Sequence, residues 1–185
     1  MGGLQFLARW RSPLLGATGL ALFAAAGPAQ AETFRVRAYG TIASSCGLQA
    51  TGSFASGDFT MAGQSNATAK IDCNKGFTIK VVSQYGQVQN TKTAPAGFVD
   101  RLPYSVRLQL PLDTAATLDK TCAAATMMIG GTCEMTAGSG LDSKGSPAFG
   151  KTATITASWN APATGVRPLA GSYSDIITIS VVPTP

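Results

Sequence analysis

The sequence predicts an all-β fold, and three observations carry that expectation. Apolar residues recur at every second position along most of the chain. The runs so formed are rich in valine, isoleucine, threonine and aromatic residues, and stretches bearing glycine, asparagine or proline separate them. Composition agrees: 45% of the 185 residues are hydrophobic and only 12% charged, with 21 glycines, which suits strands and turns better than charged helices. A chain of this length builds one packed domain, or at most two small ones.

The alternation can be followed in order. Phe34, Val36, Ala38, Gly40 and Ile42 share one parity, against Arg35, Arg37, Tyr39 and Thr41. Ala67, Ala69, Ile71 and Cys73 alternate with Thr68, Lys70 and Asp72, and Phe77, Ile79 and Val81 with Thr78 and Lys80. Tyr104, Val106, Leu108 and Leu110 face away from Ser105, Arg107 and Gln109. Ala153, Ile155, Ala157 and Trp159 oppose Thr152, Thr154, Thr156 and Ser158. Tyr173, Ile177, Ile179 and Val181 oppose Ile176, Thr178 and Ser180. Turns are expected at Gly63-Gln64-Ser65-Asn66, at Thr93 to Gly97 and at Asn160-Ala161-Pro162. Six or seven half-buried strands indicate an immunoglobulin-like β-sandwich. Only Leu112 to Met128 could hide a short helix, and neither a linker nor an internal repeat divides the chain.

The first residues read as a processing signal. Arg9 and Arg11 precede the uncharged run from Leu14 to Ala26, Gly27-Pro28 breaks it, and Ala29-Gln30-Ala31 offers a small-x-small cleavage site. The run is too short to span a bilayer. Residues 1–31 are therefore expected to be a cleaved secretory signal, leaving 32–185 as an exported protein. Loss of Arg9 and Arg11 takes two charges from the net +5, and the dispersed remainder argues for no nucleic-acid partner.

Export makes the cysteines legible. Cys46, Cys73, Cys122 and Cys133 all lie beyond the leader, and an even number in an exported chain implies disulfides. Three pairings are possible; proximity in sequence favours Cys46–Cys73 and Cys122–Cys133. A metal site is disfavoured, since the chain has no Cys-x-x-Cys spacing and no histidine.

The absence of histidine also removes Ser-His-Asp and Cys-His triads. One catalytic pattern matches: Gly145 to Thr152, GSPAFGKT, fits the phosphate-binding G-x-x-x-x-G-K-[ST] loop. That chemistry needs a buried strand before the loop and a helix after it. Here a polar, glycine-rich stretch precedes it and an alternating threonine strand follows, so a turn leading into a strand is expected. Asn66-Ala67-Thr68 has the form of a glycosylation sequon and is read as a plain turn. The nine carboxylates are scattered singly, Trp159 and Tyr173 fall on inward parities as core residues, and Met127-Met128 belongs to a disulfide-bounded loop packed on the body. No enzyme and no cofactor are expected.

The stretch Glu32 to Ile42 stands apart. An alternating strand with an apolar face must pair with something, either its own sandwich or another molecule's. Here the residues resemble a known family. Thr33-Phe34-Arg35-Val36-Arg37-Ala38 followed by Ile42-Ala43-Ser44-Ser45-Cys46-Gly47-Leu48 resembles the opening of spore coat protein U-like (SCPU) domains, subunits of archaic, Csu-type chaperone–usher pili. Ile71-Asp72-Cys73-Asn74-Lys75-Gly76 resembles their second-cysteine segment, and Leu102 to Leu108 their mid-domain tyrosine strand. Ala170-Gly171-Ser172-Tyr173-Ser174-Asp175, followed by Ile176 to Val182, resembles the closing G-x-Y-x-D motif and terminal strand. Only the stretch from Cys122 to Gly150 departs, being longer and richer in glycine than the family's loop.

The resemblance implies an incomplete immunoglobulin-like sandwich, 43–185, preceded by a donor strand, 32–42. Phe34, Val36, Ala38, Gly40 and Ile42 would enter the groove of a neighbouring subunit, and Gly171, Tyr173 and Asp175 would form the closing motif. The implied partners are other copies or related pilins, a periplasmic chaperone and an outer-membrane usher. The implied location is the periplasm in transit and then a cell-surface pilus serving adhesion and biofilm formation. The alternative is a self-complemented, monomeric secreted binding domain in which 32–42 folds into its own groove.

Overall fold

In the computed structural model, which describes residues 39–185, the alternating runs become strands paired antiparallel. The leader and the residues Phe34, Val36 and Ala38 lie outside the described residues. Thr41–Pro185 form one unit. In chain order its strands are β1 (Cys46–Ala50), β2 (Gly63–Cys73), β3 (Phe77–Ser83), β4 (Val88–Asn90), β5 (Arg101–Leu102) and β6 (Ser105–Pro111). They continue with β7 (Thr117–Ala123), β8 (Leu141–Asp142), β9 (Ala148–Trp159), β10 (Tyr173–Ser174) and β11 (Ile177–Pro183). A single 3-10 turn, Ala124–Met127, completes the described elements, and the described residues are 46% strand and 3% helical. The described residues are all-β.

Five strands form the largest sheet, in the order β1-β2-β9-β6-β7. Its register sets Ala69 opposite Ala153, and Ile155 opposite Leu108. Two three-stranded sheets, β11-β3-β8 and β10-β4-β5, complete an arrangement that fits a β-sandwich. Period-two alternation buries one side of each strand: Ile71, Phe77, Ile79, Val81, Val106, Leu108, Leu110 and Ile155 are all 0–1% exposed and belong to one core cluster. Each large side chain so buried contributes about 1.5–3 kcal/mol. The opposite side of β9, β6 and β2 carries Thr154, Thr156, Arg107, Gln109, Gln64 and Asn66 and faces solvent.

Several expectations need correction. The described chain has eleven strands, several of only two or three residues, rather than six or seven. The stretch Leu112 to Met128, the one place where a short helix could hide, holds β7 followed by a short 3-10 helix, Ala124–Met127. Its alternation was hidden because Lys120 shares the half-buried side of β7 with Leu118 and Cys122; the Lys120 ammonium reaches Glu134, 2.8 Å away. Gly63-Gln64-Ser65-Asn66 is the start of β2, not a turn, and the Asn66-Ala67-Thr68 sequon therefore lies mid-strand with Asn66 opposite Thr156. The closing strand breaks at Asp175-Ile176 into β10 and β11, and Tyr173 is half-buried instead of fully in the core. Trp159 is buried at 9% exposure, its indole N–H donating to the Asp58 carbonyl at 3.1 Å. A Cβ on Gly57 or Gly63 would stand 2.3 or 2.7 Å from that ring, so neither position has room for a side chain.

The structure pairs Cys46 with Cys73 and Cys122 with Cys133. Both bridges indicate an oxidising, extracytoplasmic environment. Among the described residues no helix is long and apolar enough to cross a membrane. Cys133, Met127 and Met135 are buried, so the loop bounded by the second bridge packs against the core.

Candidate functional site: an apolar groove between two strand edges

Two strands end their sheets on sides that come together: β1 is the outer strand of the large sheet, and β11 the outer strand beside β3. Backbone direction alternates along a strand, so a few bonds fix which groups look outward. Gln84 N–H donates to the Ile176 carbonyl, and Thr184 N–H to Gly76. Even-numbered residues of β11 thus turn their backbone toward β3, leaving those of Ile177, Ile179, Val181 and the Pro183 carbonyl on the open side. On β1, Thr51 N–H donates to Thr68 and the Ser45 carbonyl accepts from Asn74 N–H. The backbones of Cys46, Leu48 and Ala50 therefore face away from β2. Among the described residues no strand pairs with either edge. Ile177, Ile179 and Val181 point toward the core yet are only half-buried, and Leu48 is 40% exposed. The result is a narrow, seam-like apolar groove, the two strands approaching within 8 Å, flanked by unpaired backbone among the described residues.

At the Ile177 end the groove opens into a cavity of about 690 Å³ lined by Phe54, Phe59, Val88, Trp159, Tyr173 and Ile177. Phe59 packs on Trp159 with ring centroids 4.7 Å apart and lies 6.0 Å from the Tyr173 ring. At the Cys46 end the bridge to Cys73 ties β1 to its neighbour. Asn74 extends that tie: its side-chain oxygen accepts from Ser45 N–H and its amide donates to the Ala43 carbonyl, both at 2.9 Å. Of the described residues before it, Gly40 is exposed, Ile42 is 93% exposed, and neither lies in a strand.

The closing motif gathers around the cavity. Gly171 adopts φ +146°, and a Cβ there would meet the Asn90 amide at 2.8 Å. The Tyr173 hydroxyl lies 2.9 Å from the Leu169 carbonyl and 3.1 Å from that of Val99. Among the described residues Asp175 accepts four hydrogen bonds. One oxygen takes Tyr85 N–H (3.1 Å) and Ile176 N–H (2.6 Å); the other takes the hydroxyls of Ser83 (2.6 Å) and Tyr104 (2.7 Å). Burial, reinforced by the neighbouring carboxylate, pushes the Tyr104 hydroxyl well above the usual tyrosine range. Ser83 was not singled out from sequence. Its signal is a hydroxyl on the parity of Phe77, Ile79 and Val81, where a buried polar group needs a partner.

The phosphate-loop pattern meets none of its structural requirements. Gly145 (φ +79°) makes a turn, and Gly150, Lys151 and Thr152 lie inside β9. The Lys151 ammonium bonds Asp113 at 2.9 Å, and Asp113 also accepts Phe149 N–H. That ammonium holds the Asp113 carboxyl below the usual carboxylate range. Among the described residues no three His, Cys, Asp or Glu side chains cluster as a metal site. In comparisons with known protein families and with curated protein sequences, the chain matches none.

Proposed function

We propose that this protein is a structural subunit of an archaic chaperone–usher pilus, built on an immunoglobulin-like sandwich that lacks one strand. The observation that carries the reading is the groove, with the outward backbones of β1 and β11 on either side of exposed Leu48 and half-buried Ile177, Ile179 and Val181. β1 and β11 approach within 8 Å, so an incoming strand parts them, satisfies backbone on both sides and covers the apolar floor, which is recognition by strand addition. The segment Glu32–Ile42 of a second subunit has the required alternation, with Phe34, Val36, Ala38 and Ile42 as inserting side chains and Gly40 where space is tightest. Donation from one subunit into the next is heterologous and does not close on itself, so it propagates as a fibre. A periplasmic chaperone covers the groove before assembly and an outer-membrane usher exports the chain. The assembled pilus serves adhesion and biofilm formation.

The test is unheated gel electrophoresis and electron microscopy of protein produced with a chaperone–usher system. Wild type should give a ladder and fibres. A chain lacking Glu32–Thr41 should bind the chaperone and cap growth without extending it. Val36→Asp should behave alike, because an unpaired charge in an apolar groove costs several kcal/mol. Wild-type protein that stays monomeric throughout, with a truncated chain that unfolds alone, supports the self-complemented domain and rejects the pilus.

A further inference from the structure

Asp175 stands between β10 and β11, where the groove opens into its end cavity. Its two oxygens do different work. The first bonds Tyr85 and Ile176 N–H, shaping the turn that starts β11. The second bonds Ser83, at the end of β3, and Tyr104, which leads into β6 of the large sheet. This oxygen therefore ties the strand beside the groove to the opposite layer. Ser83 Oγ in turn accepts Gly86 N–H at 2.7 Å, adding the turn after β3 to the same node. Among the described residues no ammonium or guanidinium bonds this carboxylate; hydrogen-bond donors hold it.

The geometry points to Asp175 and Tyr104 as positioning residues that hold the edge of β11 ready for an incoming strand, an inference that rests on the pilus reading above. β11 has a neighbour on one side only, so its first residues are free to fray unless another contact fixes them. The backbone of Ile176 is consumed internally, its N–H by Asp175 and its carbonyl by Gln84. The next outward backbone, that of Ile177, is thereby set at the mouth of the cavity. Without the tie to Tyr104, β11 and the cavity wall occupy the pairing-competent arrangement for only a fraction of the time. Apparent affinity falls by that fraction. The loss belongs to association, because a captured strand itself holds β11 in place.

The experiment measures capture of a fluorescent peptide with the sequence of Glu32–Ile42, in excess over full-length mature protein. Tyr104→Phe removes the cross-layer bond alone. Asp175→Asn keeps an oxygen for Tyr85 and Ile176 N–H but replaces the acceptor used by Tyr104 and Ser83. Leu110→Ala lowers stability from the end of β6 remote from Tyr104, where Leu110 pairs with Leu118, and serves as the control. The expected result is about tenfold slower association for both node variants, with dissociation within about twofold of wild type and association unchanged in the control. Node variants that capture as fast as wild type, or a control slowed equally, overturn the positioning role and leave the pilus reading intact. Absence of capture by wild type overturns both. Should Asp175→Asn fail to fold, Tyr104→Phe decides alone.

Discussion

Replacing Cys46 and Cys73 together by alanine tests how the groove wall is held. The bridge closes a loop with a sequence separation of 27, which on the chain-entropy model contributes about 3.5 kcal/mol. Cys73 is fully buried, so losing its sulfur from the core adds about 1 kcal/mol. Small domains have total stabilities of about 5–15 kcal/mol, and the variant should therefore be marginal. The shorter Cys122–Cys133 loop, separation 11, should cost about 2.7 kcal/mol when opened. Urea unfolding followed by fluorescence gives both values, and amide exchange adds location. β1 has one strand neighbour, so the N–H groups of Gly47 and Gln49, which face β2, should lose protection before those of β6. A first-bridge cost below about 1.5 kcal/mol, or continued protection of Gly47 and Gln49, would show that the β1–β2 ladder holds without the bridge and refute this reasoning.

Alkaline pH should act through Tyr104. The folded state holds its proton more tightly than the unfolded chain, so stability is intact below the ordinary tyrosine value of 10.0 and declines as pH rises beyond it; Tyr104→Phe should flatten that decline in thermal melts taken from pH 9 to 11. Gly171→Ala should destabilise by about 1–3 kcal/mol in urea titration, since an L residue at φ +146° is strained and its Cβ strikes Asn90. Leu108→Ala, at the centre of the core, should cost about 2–5 kcal/mol by the same measurement. Magnesium with ATP should leave the wild-type Tm unchanged, because Lys151 is engaged by Asp113 within a strand; a rise of several degrees would reinstate the phosphate-loop reading.

What sequence reading found, and what it missed, follows from how each element is stabilised. β2, β3, β6 and β9 bury one face along most of their length, so the alternation of their apolar core residues was legible, whereas Ser83 at the end of β3, Ala148 at the start of β9 and the first residues of β2 were not. β1 and β7 lie at sheet edges, where one side needs no unbroken apolar row; β1 shows only Cys46 and Leu48, and β7 admits Lys120. The two-residue strands β5, β8 and β10 are too short to display any period and exist through their partners. The groove was not legible as such, because an unpaired edge is a property of neighbours and leaves no mark on its own strand. The Asp175 node was half legible: Tyr104 and Asp175 appear in the quoted segments, but nothing in their spacing joins positions 71 residues apart.

Trp159 has a consequence for how this chain can vary. Its ring, held by burial and by the bond to Asp58, forbids a side chain at positions 57 and 63, which precede it by about a hundred residues. The three positions therefore share one substitution rule. Alanine or serine at 57 or 63 becomes acceptable only after 159 has become smaller, and a smaller residue at 159 leaves a void until 57 or 63 grows. In a library randomised at all three, surviving sequences should trade volume across the chain and not vary independently. A single indole thus writes the permitted alphabet of two distant glycines.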